Sequence, residues 1–243
     1  MRDSYMEKYY QYVTANLEKL YTTQKKKMDE AATCIFEAIQ NGGRFLVTGS
    51  GHSHMFAEEF YVRAGGFAKV SPILPNEFFL HDHPLKSTVI ERIEAYAKVI
   101  FDLYKINAKD VLVIASNSGR NGMTVELAKI AQECGAKVIA FTNPNHPEGS
   151  KSRHSSGNYL CDFSDIVIDN CTGPGDAAFY VEEANTGMGA TSTMAGAFVA
   201  QTISILLAKK YYQAGLRPPV FKSSNVDGGD EWNKDLFAKY YNV

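Results

Sequence analysis

From Tyr9 to Ile39, apolar side chains return every three to four positions: Tyr9, Tyr12, Val13, Leu17, Leu20 and Tyr21, then Ala31, Ile35, Phe36 and Ile39. That period lines one face of a helix. The first forty residues therefore read as helical, and Asn41-Gly42-Gly43 reads as the stop. Arg44 to Thr48 is a short apolar run closed by Gly49-Ser50-Gly51, which predicts a buried strand and a tight loop. Helical character returns from Met55 to Ala64 and ends at Gly65-Gly66. Val70 to Leu74 reads as a second strand. Val89, Ile90, Ile93, Tyr96, Ala97, Ile100 and Leu103 mark one amphipathic helix over Ser87 to Tyr104, with Ser87 as its N-cap. Val111 to Ala115 is the strongest strand signal; it runs through Ser116–Gly122 into a helix from Met123 to Cys134. Lys137 to Phe141 and Asp165 to Asp169 are further strands, separated by a long polar loop from Thr142 to Cys161, and loops of that length are often functional. Gly173-Pro174-Gly175-Asp176 is turn chemistry. Gly187 to Ala190 leads into a long helix, Ser192 to Tyr211, and a last helix is expected over Glu231 to Tyr241.

Strands alternating with helices, without evident hairpins, predict an α/β fold: a doubly wound parallel sheet of about five strands with helices on both faces. No linker divides the 243 residues. The organisation expected is a helical lead-in over 1–43, the sheet domain over 44–212 and a C-terminal tail over 213–243. With 45% hydrophobic and 21% charged residues the chain is not disordered, and its length suffices for a core without disulfide or metal staples. Lys plus Arg is 25 and Asp plus Glu is 27, a balance that argues against a nucleic-acid partner; the one basic run, Lys25 to Lys27, reads as a solvated helix end. Cys34, Cys134, Cys161 and Cys171 form no Cys-x-x-Cys pair and read as buried thiols of a reducing compartment. Met1 to Tyr12 has no apolar stretch of the signal-peptide kind. Ala195 to Ala208 is interrupted by Gln201, Thr202 and Ser204 and reads as too short to span a bilayer. No membrane partner and a cytoplasmic location are expected.

Two strand-to-helix junctions carry candidate chemistry: Gly49-Ser50-Gly51-His52-Ser53-His54 and Ser116-Asn117-Ser118-Gly119-Arg120-Asn121. Each offers hydroxyls and free backbone N–H groups at the start of a helix, where an anion is favoured. If their strands are neighbours, both loops line the crevice of the doubly wound sheet. A dinucleotide site is the competitor. The third glycine position of the first loop holds His54, however, and the nearest acid at the expected distance, Glu77, comes late.

The second loop resembles the Ser-x-Ser-Gly-x-Thr phosphate loop of the sugar isomerase (SIS) domain. Gly51-His52-Ser53 is similar to the family's Gly-x-Ser after the first strand, Ile139 to Asn143 to its strand ending in Thr-Asn, and Ala190-Thr191-Ser192-Thr193 to the start of its last long helix. The resemblance covers roughly residues 30 to 212 and is strongest to phosphoheptose isomerase. It implies a flavodoxin-like SIS fold and a phosphorylated sugar as ligand. The implied binding residues are Ser50, Gly51, His52, Ser53, Ser116, Asn117, Ser118, Gly119, Arg120 and Asn121, completed by Ser192 and Thr193. It also implies a homodimer or homotetramer, for which Tyr5, Tyr9, Tyr10 and Tyr12 are a candidate interface. The chain departs from the pattern at Asn121, which replaces the loop's Thr, in the longer 142–165 loop, and in the tail.

Aldose–ketose isomerisation moves a proton between C1 and C2 through an enediol and needs a base. Phe56-Ala57-Glu58-Glu59 resembles the Phe-Ala-Glu-Glu segment of phosphoheptose isomerase, which implies Glu59 as base with Glu58 beside it. The family's histidine on the last helix is absent. By resemblance to the isomerase domain of glucosamine-6-phosphate synthase, a catalytic Glu would fall at Gly187, with Glu182 and Glu183 the nearest acids. His81 and His83 are candidate proton carriers. The pairs His52/His54 and His81/His83 contain no His-x-x-x-His spacing, so no metal and no cofactor are expected. The expected function is a sugar-phosphate isomerase; the alternatives are a phosphosugar sensor without turnover and an etherase-type lyase.

Overall fold

The computed structural model describes residues 4–146 and 148–241. The chain opens with α1 (Tyr5–Gln40), a single 36-residue helix whose N-cap, Ser4, accepts a hydrogen bond from the Glu7 N–H. Lys25 to Lys27 therefore lie in mid-helix rather than at an end, where Lys26 and Lys27 face Glu30 one turn on. The elements that follow are β1 (Phe45–Gly49), α2 (His54–Phe60), β2 (Val70–Ile73), α3 (Lys86–Ile90), α4 (Ala95–Leu103), β3 (Val111–Ala115), α5 (Gly122–Glu133), β4 (Lys137–Thr142), β5 (Ile166–Asp169), β6 (Phe179–Val181), β7 (Thr186–Met188), α6 (Ser192–Gln213) and α7 (Gly229–Tyr240).

The main sheet is parallel with strand order β2-β1-β3-β4-β5. β1 and β3 are buried along their whole length, as expected of strands covered on both faces. Their alternate side chains sort between two cores. Phe45, Val47, Val111, Val113, Ile139 and Phe141 pack with α1, α2 and α6, whereas Leu46, Leu112, Ile114, Val138 and Ala140 pack with α4 and α5. α2 and α5 thus cover opposite faces. In-register pairing of Gly49 with Ala115 brings the loops after β1 and β3 out side by side, at the crevice where connections diverge.

Further features differ from the sequence reading. The single helix over 87–104 is two, α3 and α4. The Glu91 carbonyl accepts from the Met123 N–H at 3.0 Å instead of continuing the helical ladder, and Ser87 is buried inside α3 rather than capping it. α2 ends at Phe60 rather than continuing to Ala64, because the backbone turns extended at Tyr61 and left-handed at Val62. Residues 65–68 then hydrogen-bond to 219–221, so the tail is built onto the sheet domain.

An antiparallel hairpin, β6–β7, is present. Three-residue strands are too short to show a period of two. Tyr5, Tyr9 and Tyr12 pack around its Phe179, with ring centroids 5.4 to 6.3 Å apart; only Tyr10 of the four aromatics stands clear, 63% exposed. Finally, α6 is a 22-residue helix, longer than its apolar stretch suggested, and its length and composition would allow a bilayer crossing. Here Ala195, Val199, Ile203 and Leu207 are buried in the core it shares with α1 and α2. The four cysteines are free, Cys171 buried and the others half-buried.

Candidate functional site

A narrow cleft opens at the carboxyl ends of β1, β3 and β4. His52 and Ser53 enter it from the helical turn after β1, Ser116 and Asn117 from the end of β3, and Ser192 and Thr193 from the first turn of α6. Its apolar floor is the stacked pair Phe56 and Phe141, with centroids 4.9 Å apart. Gly196 keeps this floor accessible, since a Cβ there would lie 3.3 Å from the Phe56 ring. Four hydroxyls from three elements therefore converge on a space bordered by the start of a long helix, an arrangement suited to an anion.

The 116–121 loop is shaped from within. The Ser116 hydroxyl accepts from the Gly119 N–H at 3.2 Å. Gly119 adopts φ of +56°, and a Cβ there would stand 2.7 Å from Thr142 Oγ1, so glycine is required on both counts. Asn117 Oδ1 accepts from Asn170 Nδ2 at 2.6 Å and from the Thr172 hydroxyl at 3.1 Å. Ser118 and Arg120 open onto an adjoining pocket of about 140 Å³ that shares Asn117 with the first and is also lined by Asn143, Asn145 and His146. Burial lowers the His146 pKa, and its ring stacks on Tyr159 at 3.8 Å. Asn121 lines neither pocket: it is buried, and its side-chain oxygen accepts from the Arg153 guanidinium at 2.6 Å. That contact ties the 116–121 loop to the long loop after β4.

The structure brings together His52, Ser53, Ser116, Asn117, Ser192 and Thr193 in one cleft, with Ser118 and Arg120 next to it. Ser50 and Gly51 sit one step back. Gly51 takes φ of +58°, and Ser50 donates its hydroxyl proton to Glu91 at 2.7 Å.

The expected acids and bases lie elsewhere. Glu59 accepts from Gln201 Nε2 at 2.7 Å and pairs with Arg63 at 3.0 Å, and it lines neither pocket. Glu58 is exposed beside His54, whose own ring is buried and bonded to the Gly51 carbonyl. His81 and His83 are exposed in the segment after β2 and line neither pocket. Glu183 is exposed on the hairpin turn, where the hydrogen bond from the Tyr5 hydroxyl holds its carboxyl below the ordinary range.

Two acids that the sequence did not single out are near the cleft. Glu91, in the turn between α3 and α4, is half-buried. Burial pushes its carboxyl above the ordinary range, against the Ser50 hydrogen bond and the charges of Arg153 and Arg92. Its only sequence signal is an acid inside an otherwise helical pattern. Asp176, in the glycine-rich turn before the hairpin, accepts from the Thr191 and Ser192 N–H groups at 3.0 and 2.8 Å and from the Ser192 hydroxyl. Chemically, the cleft offers hydroxyls for a phosphate and amides for sugar oxygens; the Glu91 carboxyl lines neither pocket and stands behind them, joined to the β1 loop through Ser50.

Known proteins are similar to this chain in sequence and in fold. A UPF0309 protein of Halalkalibacterium halodurans is 47% identical over 224 residues, covering 92% of this chain and 93% of that protein. A phosphoheptose isomerase of Francisella tularensis superposes with a TM-score of 0.53 at 16% identity, over 84% of this chain and 96% of its own. The NanR protein of Vibrio vulnificus, in complex with ManNAc-6P, superposes with a TM-score of 0.56 at 14% identity, over 99% of this chain and 72% of its own. Residues 8–143, more than half of the chain, match the SIS domain family. Together with the parallel sheet of order β2-β1-β3-β4-β5 and the hydroxyl-lined cleft at its switch point, that match makes this chain a member of the SIS domain family.

Proposed function

We propose that this protein binds a phosphorylated sugar in the β1/β3/β4 cleft and interconverts its aldose and ketose forms. The observation that carries the reading is the convergence of Ser53, Ser116, Ser192 and Thr193 on one cleft. These hydroxyls, with the backbone N–H groups of the 116–121 loop, bind the phosphate. The sugar body extends over Asn117 toward Asn143, Asn145 and His146. The binding unit includes α1 and the tail that pack onto the sheet, and the setting is cytoplasmic.

Glu91 serves as the base that moves the proton between C1 and C2. Ser50 aims its carboxylate, and the burial that raises its pKa brings it nearer the range in which a carboxyl can both take and return a proton. Glu59, the base implied by resemblance, has both oxygens engaged by Gln201 and Arg63. His52, at the mouth of the cleft, handles the sugar oxygens. The protein works as a homodimer or homotetramer.

A second reading is a sensor that binds without turnover, favoured by the NanR protein's complex with ManNAc-6P and by the absence of a carboxylate from the cleft's immediate lining among the described residues. The test is hydrogen exchange at C2 of bound hexose and heptose phosphates in heavy water. Exchange slowed roughly a hundredfold or more by Glu91→Gln, and within a few-fold of normal in Glu59→Gln, supports the proposal. Exchange lost only in Glu59→Gln returns the base to α2. Binding with no exchange establishes the sensor.

A further inference from the structure

The loop after β4 carries a cluster that the cleft does not use. The His154 side chain is only 1% exposed and lies between carboxylates from two helices. Its Nε2 stands 2.7 Å from Glu126 Oε2 on α5 and 3.7 Å from Glu94 Oε2, just before α4. One ligand atom from each residue lies within 4.8 Å of the others. Each group is also held from outside. The Ser155 N–H and hydroxyl donate to the two Glu94 oxygens at 2.6 and 2.8 Å, and the His154 Nδ1 is 2.7 Å from the Ser156 hydroxyl.

We propose that Glu94, Glu126 and His154 form a site for a divalent first-row cation, zinc being the best fit, that clamps the long loop to α5. One imidazole and two carboxylates are a donor set such ions accept, with water completing the coordination. The two carboxylates are met by the Lys129 ammonium at 3.3 Å from Glu126, which leaves the cluster with a negative charge that favours a cation. The carboxylates remain 31% and 22% exposed, which leaves the ion a path.

Without a cation, Nε2–H donates to Glu126 while Nδ1 accepts from the Ser156 N–H at 3.2 Å. With one, the ring proton resides on Nδ1 and the Ser156 hydroxyl accepts it. The outer partner that a ligating histidine needs is therefore already in position. The clamp lies directly behind the phosphate loop. The Arg153 N–H donates to the Arg120 carbonyl at 2.8 Å and its guanidinium to Asn121, so an occupied site holds the 116–121 loop more firmly. The site is separate from His54 and Glu58, which face each other on α2.

The experiment is titration of the chelator-stripped full-length protein with Zn²⁺ by calorimetry and with Co²⁺ by visible absorption. One ion per chain is expected. His154→Ala and Glu126→Gln should each weaken binding roughly tenfold or more, and His54→Ala should leave it unchanged. Because His154 is buried, Glu94→Gln serves as the variant that keeps the loop folded; it should weaken binding by a similar factor without changing the melting temperature in chelator. No uptake of either ion, unchanged affinity in Glu94→Gln, or binding abolished by His54→Ala would each overturn the proposal.

Discussion

The Asp176 carboxylate caps the first turn of α6 by accepting from the Ser192 N–H at 2.8 Å and from the Ser192 hydroxyl. A residue sixteen positions upstream therefore holds one of the hydroxyls of the cleft. Asp176 adopts φ of +72°, a conformation that a non-glycine residue reaches only at a cost. Asp176→Ala should remove the cap, cost about 1 kcal/mol and lower the melting temperature by about 2–4 °C. It should also free Ser192 to rotate and so weaken phosphosugar binding several-fold. Differential scanning calorimetry with and without ligand measures both.

Gly119→Ala tests the phosphate loop directly. The substitution combines a positive φ with a Cβ 2.7 Å from Thr142 Oγ1, so it should cost at least about 1–2 kcal/mol and displace the N–H that Ser116 accepts. Urea unfolding checks the stability. The ligand-induced rise in melting temperature should be lost.

Glu91 makes a prediction about pH. Burial, opposed by Ser50, Arg153 and Arg92, raises its folded-state pKa above the unfolded value. A raised carboxyl contributes stability below its unfolded pKa, near 4.3 for an ordinary glutamate, and loses that contribution as pH rises through the folded value. Glu91→Gln should therefore be at least as stable as the native protein at pH 7, while the two converge near pH 4. Urea midpoints at the two pH values decide this. A variant that is stable yet fails to exchange the C2 proton would separate a catalytic defect from an unfolded protein.

Self-association is expected on the outer face of α6, where Ile205 and Tyr212 are 68% and 69% exposed and lie two turns apart on one side. Multi-angle light scattering should give a multiple of 26.9 kDa, and Ile205→Glu should shift the population toward the monomer. A native particle of 26.9 kDa would end the idea.

The parts of this fold legible in the sequence are those with long, periodic burial. Val111 to Ala115 identify themselves because the strand is buried along its whole length, and α1 does so because Leu20, Ala31, Ile35 and Ile39 form a buried stripe, although Tyr21 in the same pattern is exposed. Ser116 to Arg120 are legible because a loop that leaves N–H groups free for an anion needs small and hydroxylated residues. Other features depend on partners far away in the chain. The break between α3 and α4 comes from the Glu91 carbonyl meeting Met123 across a tertiary contact. Glu59 looks like a base until Gln201, 142 residues later, is seen to occupy it. Likewise, nothing local marks His154 as the neighbour of Glu94 and Glu126, because the three converge only when the long loop folds back on α5.

The proposed phosphosugar binding rests on the cleft hydroxyls. Isothermal titration with a panel of hexose and heptose phosphates, run on the native protein, Ser116→Ala and Ser53→Ala, tests it most directly. Saturable binding of at least one phosphorylated sugar is expected, with no binding of its unphosphorylated counterpart and a loss of roughly tenfold or more in each variant, as for removing a hydrogen bond to a charged group. Binding of NAD in place of any sugar phosphate, or sugar-phosphate affinity unchanged in both variants, would contradict it.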